Sequence, residues 1–379
     1  MDATPIYLDH NATTPVADAV LQAMLPYLRE HFGNPSSNHV YGQRTAAAIA
    51  AARQQVAQLI GARPGQVVFT SGGTEANNLA LIGAARARPN RRHWISSTIE
   101  HPAVTEPLGE LSRQGHRMDF APVNASGIVR LAEVEAALTP ETNVVSVMLA
   151  NNETGVVQPI SEVNTRPHGA WLHSDASQAV GKIPVQVDAL GVDLLTIAGH
   201  KLYAPKGVGA LYIRDGVDLS RCSFGANHER GLSPGTENVA SIVGLGAACA
   251  LAMRDLNHEG IRQAALRDTL WRRLHDQIPG LHRNGDGAPC LPNTLSVCFP
   301  QVSGPELLAA CPAIAASTSS ACHSDRTQTS AVLAAMGVPE HLAQGAVRLS
   351  LGRRSTDDAV QRAATALVKA WHAQMATQP

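Results

Sequence analysis

The chain carries almost no excess charge: 30 Lys and Arg face 31 Asp and Glu in 379 residues. Such a balance argues against the basic field that nucleic acid or an anionic membrane surface selects, and it suits a small, roughly neutral metabolite. There is no CxxC pair among the six cysteines (Cys222, Cys249, Cys290, Cys298, Cys311, Cys322). A zinc site or a disulfide framework is therefore not expected, and reduced thiols in a cytoplasmic setting are. The opening residues Met1-Asp2-Ala3-Thr4-Pro5 place no basic segment before an apolar run, which speaks against a secretory signal. No apolar stretch approaches the ~20 residues needed to span a bilayer. Internal repeats and low-complexity linkers are missing too. What remains is an ordinary globular composition, 44% hydrophobic and 16% charged, in a chain long enough for two domains.

Short apolar runs alternate with helix-like segments through the first two thirds. Residues 66–70, 93–97, 144–149, 170–174, 194–198 and 209–213 read as buried strands, and 44–60, 74–86 and 131–138 as helices. That alternation predicts an α/β fold around a mainly parallel sheet covered on both faces. After about residue 250 the pattern changes to a helix at 259–277, a strand at 293–299 and a closing helix at 356–375. The expected division is a large domain, 15–255, and a smaller α+β domain made of 1–14 with 256–379.

In open α/β sheets ligands sit beyond the carboxyl ends of the strands, and polar residues fall there in this chain. Lys201 follows an apolar strand in Gly199-His200-Lys201, where desolvation frees an amine for imine formation. A lone lysine is more often a solvated surface group, but Lys201 has company. Asp175, in His173-Ser174-Asp175-Ala176-Ser177-Gln178, can pair with a pyridinium nitrogen, and Gln178 can donate to a ring oxygen. An aspartate at such a turn also serves as a helix cap. Ser71-Gly72-Gly73-Thr74-Glu75 is a strand–turn–helix junction whose free N–H groups, with the Thr74 hydroxyl, suit a phosphate. A plain tight turn has the same letters. His101, past another strand, is placed to stack on a flat ring, although a single such histidine is commonly structural.

Taken together, the segments Phe69 to Asn78, Glu100-His101, Asn151-Asn152-Glu153-Thr154-Gly155, Asp175-x-x-Gln178 and Gly199-His200-Lys201 closely resemble the cysteine desulfurase family of fold-type I pyridoxal-phosphate enzymes. Tyr7 to Pro15 and Phe32 to Ser37 match its opening motifs, and the resemblance runs in order from about Tyr7 to Thr356. The resemblance implies the following roles. Lys201 holds the cofactor covalently and moves the substrate proton, and His101 stacks on the ring. Asp175 and Gln178 bind the ring, while Gly73, Thr74 and His200 bind the phosphate. Asn152 lies near the ring oxygen and the substrate carboxylate, which Arg348 grips as a fork in preference to Arg353. Thr236, in a loop from His228 to Asn238, reaches the phosphate site of a second copy, so a homodimer is implied.

Cys322 lies in the small-residue run Ser317-Thr318-Ser319-Ser320-Ala321-Cys322-His323, which suits a mobile loop and a reactive thiol. Cys249 and Cys298, among apolar neighbours, read as buried and inert. The Ser-Ala-Cys sequence resembles the loop on which desulfurases form a persulfide, and this implies conversion of L-cysteine to L-alanine with sulfur passed to an acceptor such as an iron–sulfur scaffold protein.

Several positions depart from the family pattern. Ala198 stands where many members have a phosphate-binding serine, a loss for which Thr196 or water is the expected substitute; Ser233 replaces a usual arginine. The Ala198 strand, Ala321-Cys322-His323-Ser324-Asp325, and Arg348 to Arg353 followed by Ser355-Thr356 look more like selenocysteine lyases, whereas Pro102 is more usual in bacterial desulfurases. L-selenocysteine therefore stands beside L-cysteine as a substrate. An aminotransferase or β-lyase on the same fold and a cofactor-free scaffold are the remaining alternatives.

Overall fold

A computed structural model describes residues 4–318 and 330–377. After a two-residue strand β1 (Ile6–Tyr7) come β2 (Val67–Thr70), β3 (His93–Ser97), β4 (Arg117–Ala121) and β5 (Thr142–Ser146). These are followed by β6 (Trp171–Asp175), β7 (Leu194–Ala198) and β8 (Gly209–Ile213). Strands β2 to β8 form one sheet in the order β2-β8-β7-β6-β5-β3-β4. All its strands run the same way except β8, which is antiparallel to both β2 and β7. Strands β2, β3, β5, β7 and β8 are buried along their whole length and β6 everywhere but at Trp171, as expected for a sheet with helices on both faces.

The helices follow from local chemistry. Gly73–Ala87 is rich in alanine and leucine and buries Ala76, Leu79, Ala80, Leu81 and Ala84. The helix Val40–Ile60 begins at His39, whose side chain accepts from the Gly42 N–H, and stops at Gly61 in the left-handed conformation (φ 67°).

The sequence pattern predicts a break near residue 255 and a new helix at 259. Instead one helix of 37 residues, Val239–His275, runs through both positions. Its first half is apolar and long enough to cross a membrane by length and composition, contrary to the expectation from the sequence. Here that apolar face packs in the core, where Ile242, Leu245, Ala248, Cys249 and Ala252 join Val56, Ala57 and Ile60. The second half contributes Leu266, Leu270 and Leu274 to a separate core with Leu8, Phe299 and Val347. Each Ile, Leu, Val or Phe among them contributes roughly 1.5–3 kcal/mol by leaving water, so the helix is anchored at both ends.

The second core is built on β9 (His282–Arg283), β10 (Thr294–Cys298), β11 (Ile314–Ala315) and β12 (Ala346–Ser350). Strands β9 and β12 flank β10 in an antiparallel sheet, and β1 pairs with β11 in parallel. The N-terminal residues thus belong to the same layer as the C-terminal third.

Candidate active site

The carboxyl edge of the sheet gathers the predicted residues. Register aligns Thr70, Gly209 and Ala198 across β2, β8 and β7, so the turns that leave β2 and β7 start side by side. Gly209 permits this approach: a Cβ there would lie 2.6 Å from Ile197 O and 2.8 Å from the Gly72 backbone. Gly72 itself has φ 153°, a region open to glycine.

Lys201 sits in the short turn after β7, with its Nζ donating to Asn11 O at 2.5 Å and Ala12 O at 2.8 Å. Asp175 ends β6 almost fully buried; one oxygen accepts from Asn77 Nδ2 at 2.7 Å and the other from the Ser177 N–H at 2.9 Å. It therefore closes a turn rather than capping a helix, since no helix follows β6 directly. His101 caps the helix Pro102–Arg113 through Nδ1, which accepts from the Ala103 N–H. Burial lowers its pKa; the Asp175 carboxylate opposes that shift and the Lys201 ammonium adds to it, so the three groups share one electrostatic neighbourhood.

Gln178 Nε2 donates to Asn11 O at 2.9 Å, the same oxygen that Lys201 holds, so its amide lies beside the Lys201 amine. Its Oε1 accepts from Lys182 Nζ at 2.7 Å. His200 pairs through Nδ1 with Thr13 Oγ1 at 3.2 Å; burial, then Lys201, Lys206 and Lys182, push its pKa down to about 4 and keep the ring neutral. Thr74 is exposed at the first turn of the helix Gly73–Ala87 with its hydroxyl unpaired among the described residues.

From the second core, Arg348 on β12 reaches the same site. It donates to Asn152 O at 3.0 Å and to Asp9 Oδ1 at 2.7 Å, while its Nε is buried without a partner. A buried orphan donor on a guanidinium is costly unless an anion takes it, which fits a carboxylate ligand. The Asn152 side chain makes no hydrogen bond among the described residues. Arg353 instead pairs with Asp255 at 2.7 Å and lies over the Tyr203 ring.

One expectation is revised, and one departure is located. Thr196 does not replace the hydroxyl missing at Ala198: its Oγ1 faces His173 Nε2 at 3.2 Å and only its methyl group points toward Gly73. Ser233, the substitute for an arginine, donates to Glu75 Oε1 at 2.9 Å, and Glu75 Oε2 accepts from the Ser71 N–H at 2.6 Å. The segment His228–Gly231 and its continuation are thereby wired to the Gly72 turn. Thr236 is exposed without a hydrogen bond among the described residues, and Cys322 lies outside them.

Three contributors were not singled out from sequence. Asn11 is a buried hub: its side chain meets Lys182, Thr294, Asn293 and the Asn152 carbonyl, and its N–H donates to Ser350 Oγ. Lys182 follows Gln178 at helical spacing, the one signal that could have drawn attention to it. Burial, then Lys201 and Arg348, hold its pKa well below the usual lysine range. Glu100, next to His101, accepts from Ser97 Oγ at 2.5 Å and Met148 N–H at 2.9 Å, and burial pushes its pKa up to about 8.

With this geometry in place, comparison with known proteins is decisive. The aminotransferase class-V family model matches residues 6–363. This chain belongs to the cysteine desulfurase family. A rat cysteine desulfurase is 43% identical over 94% of this chain and 80% of its own length. A cysteine desulfurase of Trichormus variabilis is 45% identical over 94% and 90%. Among solved structures, a NifS-like protein superposes with a TM-score of 0.90 at 37% identity, covering 98% of this chain and all of the other. SspA in complex with cysteine superposes at 0.82 with 34% identity, over 91% and 98%. The family is pyridoxal-phosphate-dependent, and the fold is that of its fold-type I enzymes.

Proposed function

We propose that the protein is a pyridoxal-phosphate-dependent cysteine desulfurase that converts L-cysteine to L-alanine and carries the sulfur on Cys322. The observation that carries this reading is the meeting of Lys201, Asp175 and His101 on one core with the partly unpaired, buried Arg348 of the other. The chemistry of the donor set fits the cofactor: an anion site at Gly73, Thr74 and His200, a buried carboxylate at Asp175, and an amine at Lys201. When bound, pyridoxal phosphate supplies an electron sink that makes the substrate α-proton labile and weakens its Cβ–S bond.

The residues divide the remaining work. Lys201 anchors the cofactor and shuttles the α-proton at Nζ. Asp175 would hold the ring nitrogen in its protonated form, and His101, whose burial favours the neutral imidazole, would stack on the ring. Gln178 turns its amide nitrogen to the side of Lys201, because its oxygen is already taken by Lys182. Arg348 grips the α-carboxylate, with Asn152 beside it. The Cys322 thiolate takes the substrate sulfur: the Cβ–S bond breaks, an S–S bond forms, and protons return to the carbon skeleton to give alanine. The persulfide then passes to an acceptor protein, an iron–sulfur scaffold being the class in view.

We also read the protein as a homodimer in which Thr236 serves the phosphate site of the other copy. Large exposed apolar residues, Phe32 at 75% and Phe224 at 78%, support an interface. A cytoplasmic setting agrees with the free thiols of the five described cysteines.

Alanine release from L-cysteine and L-selenocysteine, with a reductant present, tests the reading in the wild type and in Cys322→Ala. Cysteine turnover is expected to fall by at least about 100-fold in the variant. Retention of the wild-type rate would remove Cys322 as sulfur acceptor and return the protein to the aminotransferase or β-lyase alternatives. A much faster wild-type reaction on selenocysteine would assign it to the lyase branch.

A further inference from the structure

We infer that Ser177 donates a hydrogen bond to the cofactor phosphate, doing the work of the hydroxyl that Ala198 lacks; the inference rests on the cofactor reading above. A Cβ built on Gly73 would lie 3.1 Å from Ser177 Oγ, 3.2 Å from Ala198 Cβ and 3.7 Å from Thr196 Cγ2. These three side chains therefore line the same side of the first helical residue, where the unpaired N–H groups and the positive end of the helix favour an anion. Of the three, Ala198 has no donor and Thr196 has turned its hydroxyl to His173 at 3.2 Å. Only Ser177 offers a hydroxyl there, and that hydroxyl makes no hydrogen bond among the described residues.

Its backbone is fixed. The Ser177 N–H donates to Asp175 Oδ1 at 2.9 Å, so the turn that carries the hydroxyl is locked to the carboxylate proposed to face the ring nitrogen. One χ1 rotation then aims the O–H without moving the chain. Gly73 contributes by having no side chain, since a methyl group there would crowd the Ser177 hydroxyl. The competing reading is a solvent-facing serine that binds nothing, which predicts that its removal has no effect on cofactor retention.

The experiment uses holoenzyme of the wild type, Ser177→Ala, Ser177→Thr and the double variant Ser177→Ala/Ala198→Ser. Dissociation constants are read from cofactor absorbance for pyridoxal phosphate and, separately, for pyridoxal, which lacks the phosphate. Loss of one charge-assisted hydrogen bond predicts about 10- to 100-fold weaker pyridoxal-phosphate binding in Ser177→Ala. Pyridoxal affinity should stay unchanged, Ser177→Thr should retain tight binding, and Ala198→Ser should restore most of what the single variant loses. Equal pyridoxal-phosphate affinity in wild type and Ser177→Ala overturns the inference while the functional reading stands. Equal weakening for both ligands overturns it as well, because the contact would not be to phosphate. A wild type that binds neither ligand overturns the functional reading itself.

Discussion

At the scale of single residues, the site is shaped by groups held away from their ordinary ionisation. Glu100 has a carboxyl pushed up to about 8 because burial outweighs the help it receives from Ser97 and Met148, and one of its oxygens has no partner. In the unfolded chain the same group ionises near the usual ~4.3. Between those two values the folded state holds a proton that the unfolded state has released, so stability falls as pH rises through that window and levels off above it. Glu100→Gln keeps the shape without the charge. It is expected to raise the Tm by about 2–5 °C at pH 8 and by little at pH 5. Calorimetric melts at the two pH values check this, and a gain of the same size at both would show that ionisation of Glu100 is not the cause.

At the scale of elements, the decisive feature is how close two turns stand. The β2 turn and the β7 turn meet over Gly209, whose missing side chain leaves room for the Gly72 backbone. Gly209→Ala forces backbone atoms apart and should lower both Tm and cofactor affinity. Gly72→Ala meets nothing within 4 Å and is strained only by its φ of 153°. The expectation is a cost of about 2–4 kcal/mol for Gly209→Ala and roughly 1–2 kcal/mol for Gly72→Ala, measured by denaturant unfolding. The reverse order would mean that the approach of the two turns is not what the glycine protects.

This scale also explains what was legible in the sequence. Lys201, Asp175, Thr74 and His101 each end or follow a strand, so a local motif locates them. Asn11 joins partners 141 to 339 residues away in sequence, and no local pattern announces it. The continuity of the long helix is not legible in the sequence, because its polar second half resembles a fresh start and its continuity depends on two cores that only the folded chain contains. The fate of the hydroxyl missing at Ala198 depended on a rotamer, that of Thr196, which sequence cannot supply.

At the scale of the whole molecule, acid response is a contest between opposing groups. His10, His173 and His200 are each pushed down to about 4, chiefly by burial, and remain neutral in the folded state. The unfolded chain takes up their protons near pH ~6.5, so each contributes stability that is lost as pH falls through that value toward 4. Glu100 acts in the opposite sense over the same range. Three groups outweigh one, and the Tm is expected to drop by about 5 °C or more between pH 6.5 and 4.5. A scan of Tm against pH that stays flat or rises on acidification would contradict this balance.

The tie between the two ends of the chain has a consequence for its synthesis. Asn11 N–H waits for Ser350, and β1 for β11, so β1 has no strand partner until residues some 300 positions later are made. Lys201 and its turn emerge far earlier and can fold with the parallel sheet, but Asn11, whose carbonyl receives the Lys201 amine, then still lacks its partners Asn293, Thr294 and Ser350. A chain made only as far as residue 349 thus presents the Lys201 amine before Ser350 has fixed the Asn11 backbone that receives it.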